Sequence, residues 1–85
     1  MKNATLMNEV IAIVRQAGRI QPNVMVTSES RFVDDLAIDS LDLVSVLLKI
    51  QDHFDVAIDD DDVPNLRSVS DLAAYVDARR GSAAA

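Results

Sequence analysis

The stretch Asp39-Ser40-Leu41-Asp42-Leu43-Val44-Ser45-Val46-Leu47-Leu48-Lys49-Ile50-Gln51-Asp52-His53-Phe54 decides how this chain folds. Asp39 is a preferred helix N-cap, Asp42 sits three residues later near the positive end of the helix, and apolar residues recur as far as Phe54. Leu43, Val46, Leu47, Ile50 and Phe54 follow the spacing of a core face. Leu41, Val44 and Leu48 form a second stripe on a neighbouring face. Either both stripes are buried and the helix is central, or the second lies at the surface beside acids as a contact site for a partner. A bundle this small seldom buries a helix all round.

Working outward, 19–38 has no clear period and holds Pro22 with scattered apolar residues: Ile20, Val24, Met25, Val26, Phe32, Leu36 and Ile38. A loop of this length is unusual in a small domain, and no alternation is long enough for a half-buried strand, so the loop is expected to pack down by those side chains. Before it, Leu6, Val10, Ile13, Val14 and Ala17 mark one face of a first helix from about Thr5, with Gly18 as its stop. After Phe54, Asp59 to Val63 reads as a short helical turn closed by Pro64. Ser68, with Asp71 three residues on, opens a last helix as a variant capping box. Arg79 and Arg80 suit its negative end. The expected fold is all-α: a small bundle of three main helices and one short helix, with a long packed loop between the first two. Residues 1–80 form one domain and 81–85 a disordered tail.

Composition narrows the function. The 85 residues hold no cysteine and one histidine, His53, which excludes disulfides, cysteine metal sites, a His-rich metal site and a thiol nucleophile of the chain's own. No apolar run exceeds five residues, as in Val10 to Val14, against the roughly 20 a membrane span needs. Neither membrane insertion nor a signal peptide is expected, and the default location is cytoplasmic. Between Asp34 and Asp62 lie ten acids and one base, a net −9, while the rest of the chain carries +3. Such a surface repels nucleic acid and attracts proteins with basic patches, unless the acids serve only solubility.

Ser40 occupies the first position of the central helix, where unpaired N–H groups and the dipole favour a phosphate ester; alone, this also fits an ordinary cap. A hydrolase pairing of Ser40 with His53 fails on distance, since 13 residues of helix rise about 20 Å, and no nucleophile elbow is present. The run Asp59 to Asp62 lacks the spacing, glycine and glutamate of a calcium loop, so no specific metal site is expected.

The run Asp34-Asp35-Leu36-Ala37-Ile38-Asp39-Ser40-Leu41-Asp42-Leu43-Val44 resembles the prosthetic-group site of acyl carrier proteins, whose core is Asp-Ser-Leu. Phe32 to Leu36, the core positions Leu47, Ile50 and Phe54, the connection Phe54 to Ile58, and Val69 to Val76 with Tyr75 extend the resemblance over nearly the whole chain. It implies a carrier and not an enzyme: a stand-alone acyl carrier, mostly monomeric in this family. A phosphopantetheinyl transferase would attach 4′-phosphopantetheine covalently to Ser40, and the thiol of that arm would hold an acyl group as a thioester. Asp35, Asp39 and Asp42, with Leu41, Val44 and Leu48, would form the docking face for acyl-loading and acyl-processing enzymes with basic patches. Where many fatty-acid carriers hold further glutamates along this helix, Ser45, Lys49, Gln51 and His53 stand here, and Ala37 and Ile38 replace a common glycine. These departures point to a dedicated carrier for one lipid, polyketide or similar pathway. An aminoacyl or peptidyl carrier, or an acidic interaction bundle without a prosthetic group, are the alternatives.

Overall fold

Apolar residues at helical spacing build α1 (Lys2–Ala17), α2 (Ser40–Phe54) and α3 (Val69–Ala84), with a short 3₁₀ helix at Asp60–Asn65. The computed structural model describes the backbone of residues 2–84 and the side chains of residues 5–79. α1 packs against both α2 and α3. Val10 and Val14 of α1, Val46 and Ile50 of α2, and Val69, Leu72 and Val76 of α3 are fully buried between them. Burial of such side chains contributes about 1.5–3 kcal/mol each and holds the bundle together.

The 19–38 segment is a packed loop. Phe32 and Ile38 drop into the core, and Ile20, Val26 and Leu36 pack against it, whereas Met25 stays 81% exposed. Arg15 of α1 clamps the loop's first half, its guanidinium donating to the carbonyls of Val24 at 2.7 Å and of Gln21 and Pro22 at 3.2 Å. The second half is stitched to the entry of α3. Phe32 N–H donates to Arg67 O at 2.9 Å, Val69 N–H to Ser30 O at 3.0 Å and Ser70 N–H to Ser28 O at 2.8 Å, leaving one isolated antiparallel bridge between Arg31 and Ser68.

Helix ends differ from expectation in instructive ways. α1 begins at Lys2, three residues before the Thr5 that its apolar stripe suggests. It stops at Ala17, and the left-handed residue after it is Arg19 (φ 58°), not Gly18. Gly18 is needed for space instead: a Cβ there would lie 2.6 Å from Val14 O and 3.1 Å from Ile38 Cδ1. The short acidic helix extends to Asn65 and contains Pro64, because its turns are closed by Asp62 N–H to Asp59 O and Leu66 N–H to Val63 O, neither of which needs the missing proline N–H. α3 opens with Ser68 Oγ accepting Asp71 N–H at 3.2 Å, while the Asp71 carboxylate reaches one residue further back than in a standard box, to Arg67 N–H. Its backbone continues through 81–84, and residue 85 lies outside the described residues. Arg79 is therefore not in the last turn. It packs 4.6 Å from the Tyr75 ring centroid and pairs with Asp62 at 3.3 Å, and the Arg80 side chain lies outside those described.

Candidate functional site

The start of α2 is built by the last turn of the loop. Asp35 Oδ2 accepts Arg31 N–H at 2.8 Å, and Asp35 and Leu36 N–H both donate to Arg31 O, tightening 31–36 into a turn. Ile38 N–H then donates to Phe32 O at 2.9 Å, anchoring the chain while the Ile38 side chain is buried. Between them Ala37 takes φ 54°, the left-handed region that favours glycine. The backbone conformation that a glycine would supply survives here in its absence.

Asp39, extended at φ −79° and ψ 172°, caps α2 as expected: its Oδ1 accepts Asp42 N–H at 2.8 Å. Ser40 is the first helical residue and is exposed, and its hydroxyl makes no hydrogen bond among the described residues. The cap is thus supplied by Asp39, leaving a free hydroxyl beside the N–H groups and positive dipole end of a 15-residue helix. A phosphodiester on this oxygen would meet open solvent, unpaired donors and a favourable field, so the site fits such a group.

The second stripe of α2 lies at the surface. Leu41 is 78% exposed, Val44 52% and Leu48 60%, beside the Asp39 and Asp42 carboxylates. Asp35 is exposed too, although one of its oxygens is committed to the loop turn. Further along, Ser45 Oγ donates to Leu41 O at 3.3 Å. Gln51 Oε1 accepts Ile58 N–H at 3.1 Å, so this side chain ties α2 to the following connection and is not a free surface group. His53 stands at the far end of α2 from Ser40 and meets Glu9 of α1 at 2.9 Å.

A groove of about 300 Å³ separates α2 from the 3₁₀ helix, lined by Val44, Leu47, Leu48, Ile58 and Val63 with Gln51 and Asp60. Its 3₁₀ wall is held by Tyr75 of α3. The Tyr75 hydroxyl donates to Asp62 Oδ2 at 2.8 Å and accepts Asp59 N–H at 3.1 Å, with Arg79 closing the cluster. The sequence marks Tyr75 only as a resemblance and places Arg79 elsewhere; no spacing rule brings Asp62 to them. Among the described residues no group of acids is arranged to hold a metal ion, and no helix is long and apolar enough to cross a membrane.

Comparison with known proteins gives this geometry a context. The family described as "Phosphopantetheine attachment site" matches residues 8–76. The meromycolate extension acyl carrier protein of Mycolicibacterium smegmatis is 40% identical over 77 residues, covering 86% of this chain and 77% of that protein. The acyl carrier protein of Bdellovibrio bacteriovorus is 39% identical over 71 residues, covering 84% and 87%. That of Rhodococcus erythropolis is 40% identical over 72 residues, covering 80% and 78%.

Proposed function

The chain belongs to the acyl carrier protein family, whose members bear phosphopantetheine, and on that premise we propose that Ser40 is its attachment residue and that the loaded protein is a dedicated, non-catalytic carrier in a specialised lipid pathway. The observation that carries the assignment is the division of labour at the start of α2: Asp39 caps, and the Ser40 hydroxyl stays exposed and unbonded. Ser40 Oγ attacks the phosphorus of coenzyme A that bears the pantetheine. The new phosphodiester forms as the pyrophosphate bond breaks, adenosine 3′,5′-bisphosphate leaves, and the serine proton passes to a base of the transferase. The chain holds no cysteine, so the thiol for a thioester has to come with the arm.

Asp35, Asp39 and Asp42 with Leu41, Val44 and Leu48 form the face that meets the transferase and acyl-handling enzymes. Their acids offer charge to partner Lys and Arg, and the exposed stripe offers apolar area. Acids on that face stand in its first turn and again at Asp52 near its end, while Ser45, Lys49 and Gln51 occupy the middle. This supports a narrow set of partners, in keeping with relatives that include a meromycolate extension carrier. Treating the apoprotein with a broad-specificity transferase and an acyl-coenzyme A should yield a protein whose acyl group is released by neutral hydroxylamine, as a thioester is. Acylation that resists hydroxylamine, or that appears on protein lacking the arm, would contradict a thioester carrier.

A further inference from the structure

Among the described residues, three that are not glycine take a left-handed backbone: Arg19 at φ 58°, and Ala37 and Asp55 at φ 54°. Arg19 and Asp55 follow the ends of α1 and α2, where that conformation is an ordinary way to close a helix. Ala37 ends none of the helices and stands three residues before Ser40. Its side chain is exposed, so packing does not hold it there. A backbone strained in this way persists only where its neighbours over-determine it.

Those neighbours hang from one braced segment. Residues 31–32 are fixed to the entry of α3 by the bridge between Arg31 and Ser68 and by Phe32 N–H donating to Arg67 O at 2.9 Å. On the far side of Ala37, Ile38 N–H returns to Phe32 O at 2.9 Å, with the Ile38 side chain buried. On the near side, Asp35 and Leu36 N–H both reach Arg31 O at 3.0 Å. Asp35 supplies the side-chain bond of this turn, its carboxylate accepting Arg31 N–H at 2.8 Å. Asp35 and Arg31 are thus joined in both directions, and Ala37 is bracketed between two attachments to the same braced pair of residues.

We propose that Asp35 is a positioning residue for Ser40. By closing the 31–36 turn its carboxylate holds Ala37 left-handed, and so sets the direction in which the Asp39 cap and the Ser40 hydroxyl leave the loop. The inference rests on the attachment at Ser40 and deepens it by giving Asp35 a role that charge alone does not supply. The two roles of Asp35 separate kinetically when the apoprotein is the substrate of a transferase. A docking acid contributes to binding and is read in KM. A turn former governs how much of the bound carrier presents its hydroxyl to the coenzyme A phosphorus, and is read in kcat. Asparagine tells them apart, because its amide oxygen can accept Arg31 N–H yet carries no charge.

The test is steady-state phosphopantetheinylation of the full chain by a broad-specificity transferase with coenzyme A and Mg²⁺, followed by intact mass, on variants whose helical circular dichroism is intact. Asp35→Asn and Asp35→Ala should share any rise in KM, at most about fivefold for one exposed ion pair lost. Asp35→Ala should also lower kcat by about tenfold, and Asp35→Asn should recover most of that loss. Adding Ala37→Gly to Asp35→Ala should recover part of it too, since glycine holds the left-handed conformation without support. Asp71→Ala is the control: it cuts the corresponding bond at the entry of α3, where Asp71 Oδ2 accepts Arg67 N–H at 3.2 Å, and should leave kcat unchanged. A kcat that falls equally in Asp35→Asn and Asp35→Ala, or in neither, would overturn the proposal. So would an equal fall in Asp71→Ala, which would mean general loosening, or no recovery from Ala37→Gly. A wild-type chain that gains no phosphopantetheine, or gains it away from Ser40, would sink the attachment reading, whereas normal modification of Ser40 with the wrong pattern among the variants sinks this proposal alone.

Discussion

Asp39 Oδ1 accepts the backbone N–H of Asp42 at 2.8 Å, and this one bond separates the two tasks at the start of α2. The carboxylate satisfies a helix donor that would otherwise fall to the neighbouring serine, so the serine hydroxyl is left for chemistry. Asp39→Ala should lower stability by about 1 kcal/mol in urea titrations, and Asp39→Asn should recover most of it. A full loss retained in Asp39→Asn would show that charge, rather than the cap, is what Asp39 supplies.

Ala37 holds a left-handed conformation (φ 54°) immediately before this cap. That geometry disfavours a Cβ by roughly 1–2 kcal/mol, partly offset by the extra unfolded-state freedom of glycine. Ala37→Gly should therefore raise the urea midpoint by the equivalent of up to about 1 kcal/mol without changing the slope. A lowered midpoint would mean that Ala37 makes contacts worth more than its strain.

The cluster of Tyr75, Asp62, Asp59 and Arg79 fastens the 3₁₀ helix to α3. Tyr75→Phe removes its hub, at a cost of about 0.5–1.5 kcal/mol, and should speed amide hydrogen exchange selectively over 59–66. Uniform acceleration across α1 and α2 would assign Tyr75 to the global core instead.

What could be read from the chain alone tracks how local its causes are. Both ends of α2 follow from Asp39 and Phe54, and the exposed stripe of Leu41, Val44 and Leu48 follows from spacing plus the small size of the bundle. Phe32 and Ile38 are recognisable as loop anchors because they are large and apolar in a segment with no period. The clamp of Arg15 on Val24 O, the bond between Phe32 and Arg67, and the Tyr75 cluster are hidden because they join segments whose approach is set by the tertiary fold. Arg79 illustrates the difference. A helix ending near 80 would give it a dipole role, but with α3 running to Ala84 it turns to Asp62 and Tyr75. Asp35 is legible as an exposed acid, yet its bond to Arg31 N–H makes it a turn former as well.

Partner choice should respond to charge along α2. Ser45→Glu with Lys49→Ala adds one acid and removes one base on exposed positions while leaving Gln51, which holds Ile58 N–H, untouched. Each exposed pair gained is worth about 0.2–1 kcal/mol, so malonyl loading by a general fatty-acid synthase transacylase should improve by up to roughly tenfold in kcat/KM. Efficient use of the unchanged protein, with no gain in the variant, would contradict the dedicated-carrier reading.

The central claim is that Ser40 carries the arm. Intact-mass spectrometry after incubation with coenzyme A, Mg²⁺ and a broad-specificity transferase measures it most directly, with peptide mapping to place the modification. The account predicts one phosphopantetheine on the wild-type chain, located at Ser40, and none on Ser40→Ala, whose helical circular dichroism is unchanged. Phosphopantetheine found on Ser30, Ser45 or Ser68, or retained by a folded Ser40→Ala protein, would contradict it.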